Sequence, residues 1–406
     1  MTTRAIAIGR ALLVGLIVAL GGETAWAGPE CHDGASFEQW LAAFRQNAVA
    51  SGISRTAVSA ALDGVTFDRG IIDRDHRQGI FADTFLEFSD KVVPKSRLTT
   101  GAAKLAGQAG LFRDIEARFG VPGAVLVAMW GLESDFGVNM GKLSSIRSLA
   151  TLAYDCRRTE MFSEELMAAV RIVERGDLRP ADMLGSWAGE LGQTQFMPTE
   201  YMRSAIDFDG DGKRNLLRSS ADALASAANY LVGLGWKRGE PWLEEVRVPA
   251  KMAWEEADVA IRHPRSYWAA AGVTLANGNR LPADATQTSL ILPMGRLGPA
   301  FLAYGNYEVF QKWNSSLVYS TTLAYFATRL AGAPAVNRGS VPAAGLTAEQ
   351  AMELQRQLTR RGFDVGPIDG KIGLGTRAAV KQVQLKLGLP ADSYPTPELL
   401  ARMRAG

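Results

Sequence analysis

Apolar residues recur at helical spacing through most of residues 36–332. This period predicts helices over residues 37–50, 161–173 and 222–234. Short β-prone pieces, each bounded by turn residues, occur only near residues 245–248 and 289–292. The pattern predicts a mainly α domain with small β elements, an α+β fold.

A smaller helical module follows a stretch rich in Pro, Gly, Ala and Ser. Residues 333–345 lack apolar periodicity, which predicts a linker of moderate stiffness between a first domain, 28–332, and a module of residues 346–406. Three helices are predicted in the module of residues 346–406. They are marked by a Thr347–Gln350 capping box, an apolar stripe that ends at Gly388, and a cap at Thr396. About sixty residues bury only a modest core, so we expect modest stability for this three-helix domain.

The N-terminal residues 1–27 have the layout of a secretory signal peptide. Arg4 and Arg10 precede an apolar run over residues 11–20, and Ala25-Trp-Ala27 forms a small-residue exit. The run is too short to span a bilayer, and no later stretch is long and apolar enough to do so. We therefore predict a periplasmic protein that is cleaved before Gly28 and has no transmembrane span.

The chain contains two cysteines, Cys31 and Cys156. An oxidising compartment favours a disulfide between them, although the sequence does not give the distance between their Cα atoms. Lipid attachment at Cys31 is disfavoured, because Gly28-Pro-Glu30 lacks the small or apolar residues expected before it.

The overall charge argues against two classes of partner. The 406 residues carry a formal charge of +2, so no strong field favours nucleic acid or an anionic membrane. The three histidines are not at ligand spacing, which argues against a zinc enzyme. No organic cofactor is expected.

One acidic residue stands directly after a segment that is apolar nearly all round. Pro122 is well placed to start this helix, which continues over residues 123–130, and Glu133 follows. Partial burial disfavours the charged form of a carboxyl group and raises its pKa. A carboxylic acid that is still protonated near neutral pH can protonate the leaving oxygen of a glycosidic bond. Glu133 is therefore the candidate catalytic acid.

Glu133 also has a structural alternative. Buried acids are more often paired than catalytic, and an ion pair with Arg147, Arg157 or Arg158 would satisfy it. Asp135 lies two residues along the same helix, about 200° away, and is not expected to flank the same bond. No other acid stands out as a nucleophile, which favours a one-acid mechanism.

A loop of alternating aspartates predicts a cation site. Carboxylates occur at loop positions 1, 3 and 5, and Gly212 at position 6 permits a sharp turn. Position 12 is Arg218, where an EF-hand has Glu. The predicted ligands of a structural calcium ion are Asp207, Asp209, Asp211, the carbonyl of Lys213, and Asp222 in a longer loop. An acidic surface turn is the alternative.

Several motifs in consistent order over residues 36–332 resemble the lytic murein transglycosylase B family. The catalytic signature of that family is matched by Ala128-Met-Trp-Gly-Leu-Glu133-Ser-Asp-Phe-Gly137. Further matches are Leu149-Ala-Thr-Leu-Ala-Tyr-Asp155, Gly185-Ser-Trp-Ala-Gly189, Gly192-Gln-Thr-Gln-Phe-Met-Pro198, the aspartate loop and Ala228-Asn-Tyr230. Residues 346–406 are similar to a peptidoglycan-binding domain. The motifs that carry this similarity are Gly366-Pro-Ile-Asp-Gly370 and Gly375-Thr-Arg-Ala-Ala-Val380.

The resemblance implies a lysozyme-like catalytic domain that cleaves peptidoglycan glycan strands without water. Glu133 would protonate the oxygen between N-acetylmuramic acid and N-acetylglucosamine. It would then accept the proton of the muramoyl C6 hydroxyl, which attacks C1 and forms a 1,6-anhydromuramoyl end. One residue can serve as acid and then base, because the first step leaves it ionised.

The resemblance also implies substrate-binding residues. Those matching cleft positions are Ser186, Gln195, Tyr230, Asn314 and Tyr319. Arg157 and Arg158 are assigned to the peptide stem or the lactyl carboxylate, with an ion pair to a neighbouring acid as the alternative. Trp130 and Trp187 fit sugar stacking and core packing equally well. Glu190 departs from the family pattern, which has a small apolar residue there.

Three other functions stay open. A lysozyme-type hydrolase would need a second positioned carboxylate. A non-catalytic wall-binding protein would keep the fold without the reaction, and a calcium sensor would use the aspartate loop. The resemblance further suggests that the C-terminal module is a flexibly tethered wall binder that raises the local substrate concentration. The sequence does not indicate any protein partner in wall synthesis.

Overall fold

The computed structural model describes residues 32, 34–76, 83–339 and 345–405. Eleven helices come first: α1 (Phe37–Ala50), α2 (Arg55–Leu62), α3 (Arg69–His76), α4 (Phe85–Val92), α5 (Lys95–Gly107), α6 (Ala109–Phe119), α7 (Gly123–Ser134), α8 (Ser145–Tyr154), α9 (Thr159–Glu174), α10 (Pro198–Ser204) and α11 (Ser220–Gly233). The predicted signal peptide and Cys31 lie outside the described residues. Export and the Cys31–Cys156 disulfide therefore stay predictions.

Two short strands lie between α7 and α10 in the chain, and the other strands and the remaining helices follow α11. The strands are β1 (Leu143–Ser144), β2 (Leu184–Gly185), β3 (Leu243–Arg247), β4 (His263–Pro264), β5 (Thr274–Leu275), β6 (Gln287–Ile291) and β7 (Ala300–Ala303). The later helices are α12 (Arg265–Ala270), α13 (Gly305–Trp313), α14 (Leu317–Leu330), α15 (Ala348–Arg360), α16 (Leu374–Lys386) and α17 (Pro397–Ala405). The mainly α fold with small sheets is confirmed.

Local sequence signals explain where several helices begin. Helix α1 covers the predicted residues 37–50, and the Ser36 side chain caps it by accepting a hydrogen bond from the Gln39 backbone N–H. The predicted helical periods at 161–173 and 222–234 fall almost entirely within α9 and α11. A capping box formed by Thr347 and Gln350 starts α15, as predicted.

A five-stranded antiparallel sheet with the order β4-β6-β7-β3-β5 separates two hydrophobic cores. Successive side chains of a strand point to opposite faces. Ile291 and Phe301 therefore join the main core, while their neighbours Leu290 and Leu302 pack into a second core around Trp268. Because β7 is buried on both faces, its sequence shows no polar alternation, and the strand was not predicted.

Helix α7 lies at the centre of the main core. It packs against α5, α6, α11 and α14, and nine of its twelve residues are buried. Burial on all sides is what its uniformly apolar sequence predicts. Among the described residues, no single helix has the length and hydropathy to cross a bilayer; α6 and α7 pass such a test only as a pair, bent by 109°.

The C-terminal helices α15, α16 and α17 form their own small core and dock on the first domain. Arg377, buried in α16, donates a 2.7 Å hydrogen bond to the Leu292 carbonyl, and Lys381 forms an ion pair with Asp258. Asp392 accepts a 3.0 Å hydrogen bond from the Arg296 backbone N–H. The module is therefore held against the sheet end of the first domain.

The described part of the connecting segment also differs from the flexible tether that was expected. The Asn337 backbone N–H donates to the Glu245 carboxylate at 2.7 Å, and Arg338 pairs with Asp90 at 2.9 Å. These contacts form because the segment passes the acidic side chains of Glu245 on β3 and Asp90 on α4. Composition alone predicted a linker of moderate stiffness, whereas specific partners fasten the end of its described part, residues 337 and 338.

Candidate active site

The end of α7 positions Glu133. The helix stops where Asp135 and Phe136 adopt left-handed backbone conformations, with φ of 51° and 61°. The Ser134 hydroxyl donates to the Gln193 carbonyl at 2.6 Å, which ties this exit to the loop before α10. Asp135 pairs with Arg97 at 3.2 Å, so it belongs to the helix exit, as predicted, and is not a partner acid for Glu133.

Two aromatic residues from the C-terminal part of the first domain hold the Glu133 carboxylate. Trp313 donates its indole N–H to Oε1 at 2.9 Å, and the Tyr319 hydroxyl donates a short hydrogen bond to the same oxygen. Burial raises the pKa of Glu133 to about 7, against the lowering effect of these two hydrogen bonds. The charge of Glu190 raises this pKa further. Glu133 can therefore hold a proton near neutral pH.

The ion pair that was the alternative for Glu133 does not form with any described residue. Arg157 and Arg158 both pair with Asp75, whose side chain is 1% exposed, and the Arg157–Asp75 distance is 3.1 Å. The ion pair that was the structural alternative therefore forms for both arginines. Both side chains stay partly exposed, so the substrate role stays a prediction for Arg157 and for Arg158.

An aromatic wall extends from Trp313. The rings of Tyr230 and Phe196 lie 5.3 and 5.8 Å from the Trp313 ring, centroid to centroid. Tyr230 thus contacts Trp313, and Trp313 in turn contacts Glu133. This arrangement is consistent with the predicted place of Tyr230 in the cleft. Trp130 is 3% exposed and belongs to the core, whereas Trp187 is half-buried. An aromatic surface beside an acid suits the apolar faces of sugar rings.

Ser186 and Gln195 lie on the segment between β2 and α10. The Ser186 hydroxyl donates to Glu190 at 2.7 Å. Gln195 has a left-handed φ of 51°, and its side-chain amide donates to the Gly192 carbonyl at 2.8 Å and the Met140 carbonyl at 3.3 Å. Gln195 therefore holds its loop in place, which its motif position alone did not indicate, and the cleft roles of both residues stay predictions.

Asn314 and Tyr319 line a cleft of about 440 Å³ between the two domains. Lys371, Ile372 and Gly373 of the C-terminal module form part of its opposite side. Asn314 also accepts a 3.0 Å hydrogen bond from the Ser316 backbone N–H, at the start of α14. The docked module therefore forms one side of this cleft, and Tyr319, which lines the cleft, also hydrogen-bonds Glu133.

The aspartate loop brings together three of its four predicted carboxylate ligands. One carboxylate oxygen from each of Asp207, Asp209 and Asp211 lies within 4.8 Å of the others. Asp222 instead uses its oxygens to accept 2.8 Å hydrogen bonds from the Phe208 and Asn215 backbone N–H groups. It latches the loop to α11 and lies outside the cluster of three, and the Lys213 carbonyl stays a predicted ligand. Three converging carboxylates fit a hard cation such as calcium.

Comparison with known proteins assigns both domains. Residues 36–328 match the family model described as "Transglycosylase SLT domain", which covers more than half of the chain. The chain belongs to the transglycosylase SLT domain family. Residues 347–403 match the model of a "Putative peptidoglycan binding domain". The two resemblances inferred from the motifs are confirmed.

Individual relatives agree with this assignment. The crystal structure of SltB3 from Pseudomonas aeruginosa in complex with NAG-anhNAM-pentapeptide is 43% identical, over 91% of this chain and 100% of that chain, with a TM-score of 0.86. The Escherichia coli lytic transglycosylase Slt35 in complex with calcium is 26% identical, over 72% of this chain and 92% of that chain, with a TM-score of 0.60. Membrane-bound lytic murein transglycosylase B of Escherichia coli K12 is 40% identical over 123 residues, about a third of its length.

The sequence of this family member did not reveal Trp313 as a site residue. Trp313 stands 180 residues after Glu133, and its indole N–H contacts the acid only because α13 folds back onto the end of α7. Its place directly before the predicted cleft residue Asn314 was the one available signal. The proximity of Glu190 to the acid was missed for the same reason, although its departure from the family pattern was visible.

Proposed function

We propose that the protein is a lytic transglycosylase that cleaves the β-1,4 bond between N-acetylmuramic acid and N-acetylglucosamine and leaves 1,6-anhydromuramoyl ends. The observation that carries the proposal is Glu133 itself. It is an acid with a pKa of about 7, hydrogen-bonded by two neutral donors and free of cationic partners in the described part of the chain. Such an acid is protonated when the substrate arrives.

The proposed reaction balances with one carboxyl group. Glu133 gives its proton to the glycosidic oxygen as the bond from C1 to that oxygen breaks. The C6 hydroxyl of the same muramoyl unit then bonds to C1, and its proton passes to Glu133, which restores the acid. The nucleophile belongs to the substrate, so no second catalytic carboxylate is required. The relative SltB3 crystallised with NAG-anhNAM-pentapeptide, a ligand with such an anhydro end.

Mass spectrometry of products from purified sacculi tests this proposal. We expect the enzyme to release muropeptides with anhydromuramoyl ends. Reducing muramoyl ends would contradict the proposal and indicate a lysozyme-type hydrolase, with Glu190 as the acid to examine next. No product, with sacculus binding retained, would leave a non-catalytic wall-binding protein.

The peptidoglycan-binding module and the predicted signal peptide fit the same proposal. A periplasmic location would place the enzyme at its substrate, and the docked module would guide a glycan strand into the cleft it helps to form. The observation behind this role is the shared lining of the cleft by Lys371 and Tyr319. Glycan strands are thus the proposed partner of both domains.

The aspartate loop is proposed as a structural calcium site. Three carboxylates meet there, and the related Slt35 was crystallised in complex with calcium. When bound, the cation would neutralise the mutual repulsion of Asp207, Asp209 and Asp211 and fasten the loop before α11. The loop contributes no group to Glu133 in the described structure, so the site supports the fold and not the reaction.

Calcium should raise the thermal stability of the enzyme. We expect Tm to rise by several degrees on adding calcium after chelation, because an ion that binds only the folded state stabilises it by mass action. Asp211→Asn should abolish most of that rise, since it removes a charged ligand but keeps the acceptor for the Lys213 N–H. Scanning calorimetry with and without calcium measures both.

The matched control is Asp114→Asn, at an exposed aspartate of α6. It should retain the full calcium response. An equal Tm of the wild-type enzyme in calcium and in chelator would contradict the proposed site.

A further inference from the structure

Glu190 sits on a rigid loop that leads from β2 towards the acid. The Ser186 backbone N–H donates to the Glu190 carbonyl at 3.3 Å. A Cβ atom built on Gly185 would lie 1.9 Å from that carbonyl oxygen, so only glycine fits this close crossing. Gly141 approaches Gly185 equally closely on the other side. The backbone that carries Glu190 therefore has little freedom to move.

Among the described residues, the Glu190 carboxylate accepts a hydrogen bond on one oxygen only, Oε2. The Ser186 hydroxyl donates to Oε2 at 2.7 Å and itself accepts a 3.1 Å hydrogen bond from the Ala188 backbone N–H. Within residues 32–405 as described, no lysine, arginine or histidine forms an ion pair with Glu190. A half-buried carboxylate without a cation is costly in free energy, and folds seldom keep one without a use.

The charge of Glu190 acts on the side chains that surround Glu133. Tyr319 on α14 and Trp313 on α13 donate hydrogen bonds to Glu133, and Glu190 on the loop after β2 adds the electrostatic effect of a second acid. The charge of Glu190 raises the pKa of both Glu133 and the Tyr319 hydroxyl. Burial also raises the pKa of Glu190 itself, against its hydrogen bond from Ser186.

We propose that Glu190 is a positioning residue of the reaction, which fixes the Ser186 hydroxyl through a hydrogen bond from a constrained loop and places a second acidic side chain near Glu133. This inference rests on the proposed function, since it concerns the acid step of that reaction. After the acid has donated its proton, the charge of Glu190 disfavours the Glu133 anion and promotes return of the proton from the C6 hydroxyl. The small apolar residue usual at this position would do neither.

The pH profile of Glu190→Gln tests the charge. The amide keeps an oxygen that accepts from Ser186, so the loop geometry is preserved while the charge is lost. The acid must be protonated to act, so activity falls as pH rises through its pKa. Without the charge of Glu190, the pKa of Glu133 falls and the alkaline limb of the pH profile moves to lower pH. Compared with wild type, kcat/KM should fall about three- to tenfold near pH 8 and stay within about twofold near pH 6.

Glu165→Gln is the matched control. Glu165 is another largely buried glutamate whose pKa is raised by burial, and it accepts a 2.8 Å hydrogen bond from the Thr199 backbone N–H, but it has no contact with Glu133. Its variant should keep the wild-type alkaline limb. An unshifted limb in Glu190→Gln, equal to that of Glu165→Gln, would overturn the proposal.

A double-mutant cycle tests the part of the proposal that acts through Ser186. Ser186→Ala and Glu190→Ala should each lower kcat/KM, and the double variant should lose much less than the product of the two losses, because they remove the same hydrogen bond. Losses that multiply would show that Glu190 does not act through Ser186. All profiles are followed by release of anhydromuramoyl products. A wild-type enzyme that releases none would refute the proposed function itself, which is a separate result.

Discussion

Glu133→Gln should abolish release of anhydromuramoyl ends, with a fall in rate of at least about a thousandfold. The amide keeps the size of the side chain and an oxygen that can accept from Trp313 and Tyr319. It cannot supply the proton that the glycosidic oxygen needs. Binding to sacculi should persist, because the cleft and the C-terminal module are unchanged. Mass spectrometry of sacculus digests and a sacculus pull-down measure the two effects.

The neighbouring acid provides the control. Asp135→Asn changes a carboxylate two residues away that pairs with Arg97 in the helix exit, and asparagine tolerates its left-handed backbone conformation. This variant should keep activity within a few-fold of wild type. If Asp135→Asn were as inactive as Glu133→Gln, the one-acid mechanism would be contradicted.

The same substitution at Glu133 has an opposite effect on stability. The folded-state pKa of Glu133, about 7, lies above its ordinary value of 4.5. A raised pKa means that the protonated form is favoured in the folded state, so the stability it provides is present at low pH and lost as pH rises through 7. Glu133→Gln should therefore have a higher Tm than wild type above pH 7, and the gain should shrink towards pH 5. Loss of activity with gain of stability is typical of a catalytic acid and not of a structural one.

The sequence predicted those parts of the site that depend on local patterns. Helix α7 and the place of Glu133 at its end follow from an apolar segment with an acid at its exit. The predicted capping box at Thr347 marks a helix start because its hydrogen bonds span only three residues. The motif order over residues 36–332 placed Tyr319 and Tyr230 in the cleft, and the structure brings both to Glu133 or to Trp313.

What the sequence could not predict depends on contacts between distant segments. Asp75 neutralises Arg157 and Arg158 from more than eighty residues away, and no periodicity indicates that pairing. Asp222 has the residue type of a calcium ligand, but the loop turns its oxygens to backbone N–H groups of Phe208 and Asn215. In each case the residue type was suited to the predicted role, and a competing partner in the fold decided the outcome.

The docked module changes what the C-terminal domain contributes. A freely tethered binder would only raise the local substrate concentration, whereas this module forms one side of a cleft that Tyr319 also lines. The difference rests on a few polar contacts in the interface, above all on Arg377. Its guanidinium is buried, donates to the Leu292 and Pro293 carbonyls, and lies over the ring of Tyr394. Burial lowers the pKa of this arginine, against the nearby charge of Asp392.

Arg377→Ala should therefore undock the module. It leaves two buried carbonyl acceptors without a donor and opens a cavity, at a cost of about 2–4 kcal/mol. We expect small-angle scattering to show a larger radius of gyration, and kcat/KM on long glycan strands to fall about tenfold as the cleft loses the side formed by Lys371 and Gly373. Arg402→Ala, at an exposed arginine of α17 that pairs with Glu398, is the control and should alter neither quantity. An Arg377→Ala protein with the wild-type radius and wild-type turnover would show that the module stays docked without this residue. A larger radius with unchanged turnover would show that the cleft does not need the module, and would restore the tethered wall binder that the resemblance implied.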